Sequence, residues 1–209
     1  MMKRRALLAS ACAMPLAACG NILGPGPSPQ IYVLHANFPP ARPGPKVAWA
    51  LMVMRPDTAD SLDTVRIPVV KADGTMDFYA GAQFPDRVTS LVQDALVSGF
   101  EASGRIDQVS TEQDSLHADY ELITEIRDFE AQYQQADSAP TAAVTLSVKL
   151  ATAHGRQIVA SFSSRQSVPA AADTIGDATT ALQSALMAAA TAVVDWALAL
   201  PLPASPPAR

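Results

Sequence analysis

Between residues 119 and 168 the chain alternates apolar and polar side chains three times over, and this pattern limits the fold more than any other part of the sequence. In residues 119–133, Tyr120, Leu122, Thr124 and Ile126 hold one phase, and Phe129, Ala131 and Tyr133 then hold the opposite one. Successive strand side chains point to opposite faces, so a one-residue slip of this kind predicts a β-bulge. In residues 142–151, Val144, Leu146, Val148 and Leu150 alternate with Thr145, Ser147 and Lys149; residues 157–168 repeat the period with Ile158, Ala160 and Phe162. His154-Gly155 is the expected turn between the last two. Strands joined by such short turns lie antiparallel, and their apolar face needs a cover.

Two helical segments can supply that cover. Residues 86–103 carry Val88, Leu91, Val92, Ala95, Leu96 and Phe100 at three- and four-residue spacings, with Asp86 as the expected N-cap and Gly104 as the terminator. Gly99 is an unfavourable residue for the last turn of that helix. Residues 173–200 read as a long alanine-rich helix with Ile175, Leu182, Leu186, Ala189, Val193 and Trp196 on its buried stripe. Its length would cross a bilayer, but no cluster of positive residues flanks it, so it is expected to cover the sheet.

The remaining segments are shorter. Residues 31–35 are β-like, four prolines interrupt residues 39–45, and residues 47–54 form an apolar run that suits a strand buried on both faces. Residues 57–63 read as a polar loop. Residues 65–70 and 75–79 flank Ala72-Asp73-Gly74, which predicts a hairpin because glycine accepts positive φ. Pro68 suggests an irregular or edge position for the first arm, and residues 105–109 read as a further strand. The predicted fold is one α+β domain: a single largely antiparallel or mixed β-sheet with two helices packed on one face.

Ahead of this domain stands Leu16-Ala17-Ala18-Cys19-Gly20, preceded by an apolar run and by Lys3, Arg4 and Arg5. Charged start, short apolar core and small residues before a cysteine make a bacterial lipoprotein signal. The thiol of Cys19 is the nucleophile that would accept the lipid. Residues 1–18 are then a signal peptide, 19–30 a Gly/Pro-rich tether, 31–200 the domain and 201–209 a disordered tail. Loss of Lys3, Arg4 and Arg5 takes the formal charge from −5 to −8. That excludes nucleic acid as a partner, which needs a basic footprint. Cys12 and Cys19 are the only cysteines, so the mature domain has no disulfide, thiolate metal site or cysteine nucleophile.

Catalytic motifs are lacking: there is no G-x-S-x-G elbow, phosphate-binding loop or H-E-x-x-H. His35, His117 and His154 are scattered and read as surface residues, and no metal or cofactor is expected. Glu121 and Glu125 would be the carboxylates of a hydrolase, although an acidic series along a strand reads first as a solvated face. Tyr32, Phe78, Tyr79, Phe84 and Tyr133 lie near loops or strand ends, and are the places where a greasy ligand or a partner would be met.

A lipobox, the short strand Ile31-Tyr32-Val33-Leu34, the segment LDTVRIPVVKADGTMDFYAGAQFPDRVTSLVQDALVSGFEASGRIDQV (residues 62–109) and DYELITEIRDF (residues 119–129) follow in that order. In order and wording they resemble the ABC-type transport auxiliary lipoproteins, the PqiC-like family, over residues 31–200. That family often has tryptophan where Phe84 stands. The resemblance implies a non-enzymatic accessory protein of an MCE-type lipid transport system. Its partners would be an MCE-domain protein and that protein's ABC permease and ATPase, with assembly into a homo-oligomer allowed. It would be lipid-anchored at Cys19 in the outer membrane and face the periplasm, since Gly20 rather than aspartate follows the cysteine. The alternatives are an outer-membrane assembly lipoprotein supporting a β-barrel and an envelope hydrolase.

Overall fold

The computed structural model describes residues 28–38, 44–114, 116–136 and 138–204. The signal segment, Cys19 and most of the tether lie outside the described residues. In chain order, β1 (Gln30–Ile31), β2 (Leu51–Val53), β3 (Asp57–Thr58), β4 (Arg66–Val70) and β5 (Met76–Gln83) precede α1 (Val88–Ala102). Then come β6 (Val109–Thr111), β7 (Tyr120–Gln132), β8 (Thr141–Thr152) and β9 (Ile158–Pro169), and α2 (Ile175–Ala199) follows them.

β7 is the spine of one mixed sheet. On one side it pairs antiparallel along its length with β8, which pairs antiparallel with β9. On the other side three short strands share it end to end, all parallel: β2 beside Tyr120–Leu122, β3 beside Glu125–Ile126 and β4 beside Ala131–Gln132. β6 lies parallel outside β2, β5 lies antiparallel outside β4, and β1 meets only the far end of β5. The register of β7 shifts between Ile126 and Asp128, where the apolar phase changes in the sequence. Pro68 also sits at a register shift, but β4 is an interior strand. A bulge, not an edge, accommodates the missing N–H.

Both helices pack on the face that the alternation makes apolar. α2 crosses β8 and β9 and runs against α1, burying Leu182, Leu186, Ala189, Val193 and their neighbours. By length and composition α2 could cross a membrane, yet 61% of its most apolar window is buried inside the domain. Trp196 stacks on Phe162 of β9 with ring centroids 5.4 Å apart. Gly99 has a packing reason: a Cβ there would lie 3.0 Å from Phe38 Cζ and 3.2 Å from Val194 Cγ2, so the missing side chain lets α1 approach α2.

Several local expectations need correction. Arg87, not Asp86, is the N-cap of α1; the Asp86 carboxylate instead accepts from the Arg87 backbone N–H at 2.6 Å. At the other end Gly104, at φ +59°, ends the helix as expected. The strand expected at 105–109 begins only at Val109, the one at 31–35 spans only Gln30–Ile31, and the loop at 57–63 opens with β3. The residues just after α2 are held in place: Leu202 packs on the core and Tyr120 Oη donates to the Pro203 carbonyl at 3.1 Å.

Candidate functional site

The β4–β5 hairpin builds one wall of a cleft. Its turn is set by Asp73, whose Oδ1 accepts from Thr75 N at 2.9 Å and from Thr75 Oγ1 at 2.6 Å, and by Gly74 at φ +82°. The hydroxyl bond from Thr75 holds the Asp73 carboxyl below its ordinary range. Behind the turn, Lys71 Nζ donates to Asp77 Oδ2 across the arms at 2.8 Å, and that bond lowers the Asp77 carboxyl likewise. Tyr79 follows two residues on, so it shares a face of β5 with Asp77.

The opposite wall comes from two distant parts of the chain. Tyr133 directly follows β7, and its backbone N–H donates to the Val70 carbonyl at 2.8 Å. Asp173 lies just before α2. The Tyr133 hydroxyl donates to Asp173 Oδ1 at 2.6 Å, and the Tyr79 and Tyr133 hydroxyl oxygens are 3.0 Å apart. Because the single proton of Tyr133 goes to the carboxylate, Tyr79 is the donor in the second bond. Burial, and then the bond to Asp173, raises the Tyr133 phenol, so it keeps its proton. Burial likewise raises Tyr79. The cleft between the walls holds about 560 Å³ and includes Val69, Phe78, Ala80 and Ala136 in its lining.

The family model for the ABC-type transport auxiliary lipoprotein component matches residues 32–194. The chain belongs to that family. Protein XCC0632 from Xanthomonas campestris, known as a crystal structure, is 30% identical, with a TM-score of 0.75 over 81% of this chain and 94% of its own. An uncharacterized protein of known crystal structure shares the fold at 11% identity, with a TM-score of 0.63 over 82% of this chain and 99% of its own. No curated protein matches the chain.

Of the aromatic residues singled out in this auxiliary lipoprotein's sequence, Phe78, Tyr79 and Tyr133 converge on the cleft. Tyr32 does not; it is half-buried beside β1 and packs on the core. Phe84 is fully buried, edge to face with Phe129 at 5.8 Å. It anchors the entry to α1 and presents no surface to a ligand. Asp173 and the Lys71–Asp77 pair were missed. Opposite charges on the two arms of an Asp-Gly hairpin are a readable signal for the pair, whereas Asp173, expected as the first residue of the helix that begins only at Ile175, looks like any acidic residue at a helix start.

Glu121 and Glu125 point to the face of β7 away from the helices, where Glu121 is half-buried and Glu125 exposed. Glu121 Oε2 lies 3.8 Å from Arg156 Nε, and Glu125 Oε2 lies 3.3 Å from the Arg127 guanidinium. His117 and His154 are neighbours rather than scattered, with ring centroids 5.0 Å apart. Even so, no group of three or more metal-ligating side chains exists among the described residues.

Proposed function

We propose that this protein is a lipid-anchored, non-catalytic accessory subunit of an ABC/MCE-type phospholipid transport system, docking the transport assembly at the outer membrane from the periplasmic side. The observation that carries the reading is the pairing of a lipoprotein signal directly before Cys19 with a domain of the transport auxiliary family. Acyl chains on Cys19 would supply the anchor, at ~0.8 kcal/mol per buried methylene. The tether would let the domain reach away from the bilayer. ATP hydrolysis would belong to a separate subunit, and the domain would act by holding partners, alone or as a homo-oligomer. Gly20 after the cysteine supports the outer membrane. The engagement of Glu121 and Glu125 with two different arginines on the outer face of β7 argues against the hydrolase alternative.

The test is affinity purification of the native lipoprotein from detergent-solubilised membranes beside a Cys19→Ala control, with partners identified by mass spectrometry. An MCE-domain protein and its permease should be recovered with the lipidated chain and lost in the control. Recovery of an outer-membrane β-barrel without them would replace this reading with the assembly alternative.

A further inference from the structure

We propose that the phenol–carboxylate cleft seats a cationic side chain, arginine or lysine, carried on an extended segment of a partner protein. The argument begins with proton directions. Tyr133 donates to Asp173 and Tyr79 donates to Tyr133, so both phenolic protons are used inside the network. What the network offers to the cleft is acceptors only: lone pairs on the two phenol oxygens and the second oxygen of Asp173. An occupant has to bring N–H or O–H donors.

Charge selects a cation among the donors. Asp73, Asp77 and Asp173 line the cleft with one lysine, Lys71, among the described lining; Lys71 is bonded to Asp77 and Arg66 acts on Asp77 from beside the cleft, so the unmatched carboxylates are Asp73 and Asp173. The aromatic walls add to this preference, since ring faces attract guanidinium and ammonium groups. Beside the cleft the preference is seen at Phe78, where the Arg66 guanidinium carbon lies 3.9 Å from the ring centroid.

The backbone beside the cleft selects a protein. On the side away from β4, β5 is paired only at Ala82 and Gln83, by β1. From Met76 to Gly81 that edge has no strand beside it among the described residues. An extended segment can add there through main-chain hydrogen bonds and turn alternate side chains toward the cleft. A phospholipid ammonium head would satisfy the acceptors, but it brings a phosphate into a rim with an excess of carboxylates.

The inference rests on the adaptor reading for its setting and names the chemistry of the docked partner. The experiment is isothermal titration of the full-length lipoprotein in detergent micelles with the blocked pentapeptide acetyl-Val-Thr-Arg-Thr-Val-amide. The same peptide with citrulline for arginine, and glycerophosphoethanolamine, serve as comparisons. The arginine peptide should bind at least about tenfold more tightly than its citrulline counterpart, which keeps shape and hydrogen bonding but loses the charge. Binding should weaken as salt rises. Asp173→Asn and Tyr79→Phe should each weaken it about tenfold, while Glu125→Gln on the far sheet face leaves it unchanged. If Asp173→Asn does not fold, Tyr79→Phe decides, since it removes only the oxygen. Equal binding of the citrulline peptide, tighter binding of glycerophosphoethanolamine, or no binding of the arginine peptide would each overturn the inference. Failure here with the permease still co-purifying would sink the cleft assignment alone. Loss of co-purification with intact peptide binding would sink the adaptor reading alone.

Discussion

The chain around β5 meets the chain around β7 twice, once through Phe84 and Phe129 and once through Tyr79 and Tyr133. The phenylalanines are fully buried and meet edge to face. The tyrosines are half-buried and meet through their hydroxyls. Two bridges between the same parts of the chain thus differ by little more than two oxygen atoms, and those atoms divide the labour. The apolar bridge has no unused valence and serves stability. The phenolic bridge binds its protons internally and leaves acceptors facing an open cleft. A pair of buried rings holds the sheet together whatever the partner, whereas a pair of half-buried phenols leaves acceptors that a partner can reach.

The sharpest break of this comparison is Phe129→Ala, expected to cost ~3–5 kcal/mol of stability through lost burial and a residual cavity. Urea unfolding measures it, and a loss below ~1 kcal/mol would deny the apolar bridge its role. Phe84→Trp comes next, because the site is already full and overpacking costs ~1–3 kcal/mol; if this variant is as stable as the parent, the pocket around Phe84 has room for an indole. Tyr133→Phe keeps the ring and removes the bond to Asp173, so it should cost only ~1 kcal/mol in the same measurement. A cost equal to that of Phe129→Ala would erase the distinction between the bridges.

Glu130, next to Phe129, gives a pH test of the apolar side. Burial raises its carboxyl, against the bonds it accepts from Gln132 and from the Phe129 backbone N–H. A raised folded-state value means that the folded protein holds the proton more tightly than the unfolded chain. Its contribution is therefore fully present below the unfolded value and is lost as pH rises through the folded one. Melting temperatures followed upward from pH 4 should fall through that window, and Glu130→Gln should flatten the fall. The smallest effect is expected at the hairpin. Lys71 and Asp77 are paired but exposed, so Lys71→Ala should leave the melting temperature unchanged while removing the one lysine from the cleft's described lining.

Sequence patterning carried the elements whose partners are near in the chain. The bulge in β7, the β8–β9 pairing, the Asp-Gly hairpin and α2 all follow from periods and turns that a single segment contains. β3 and the position of β6 do not, because strands of two or three residues owe their existence to the neighbour they lie beside, not to their own side chains. The site shows the same division. Phe78, Tyr79 and Tyr133 could be named because they are aromatic residues beside predicted loops or strand ends, where a ring is within reach of a ligand. Phe84 satisfies the same rule and is core, since an aromatic that pins a helix entry looks identical in sequence to one that borders a cleft. Asp173 joins the tyrosines through tertiary structure alone.

The place of β7 within the chain has a consequence for the order in which the domain can form. Three of the strands it aligns come earlier. Ala50 N reaches the Asp119 carboxylate over 69 residues, and Thr58 Oγ1 reaches the Ile126 carbonyl over 68. A chain that emerges from a ribosome or a translocation channel with its N-terminus leading therefore presents β2, β3 and β4 before the strand that joins them; until then β4 has only β5 and β2 only β6 to pair with. Long loops must close before such contacts repay the lost chain entropy. The early half of the domain keeps one edge of these strands open until that later strand arrives, and the speed at which residues 120–132 follow sets how long the edge is exposed to aggregation.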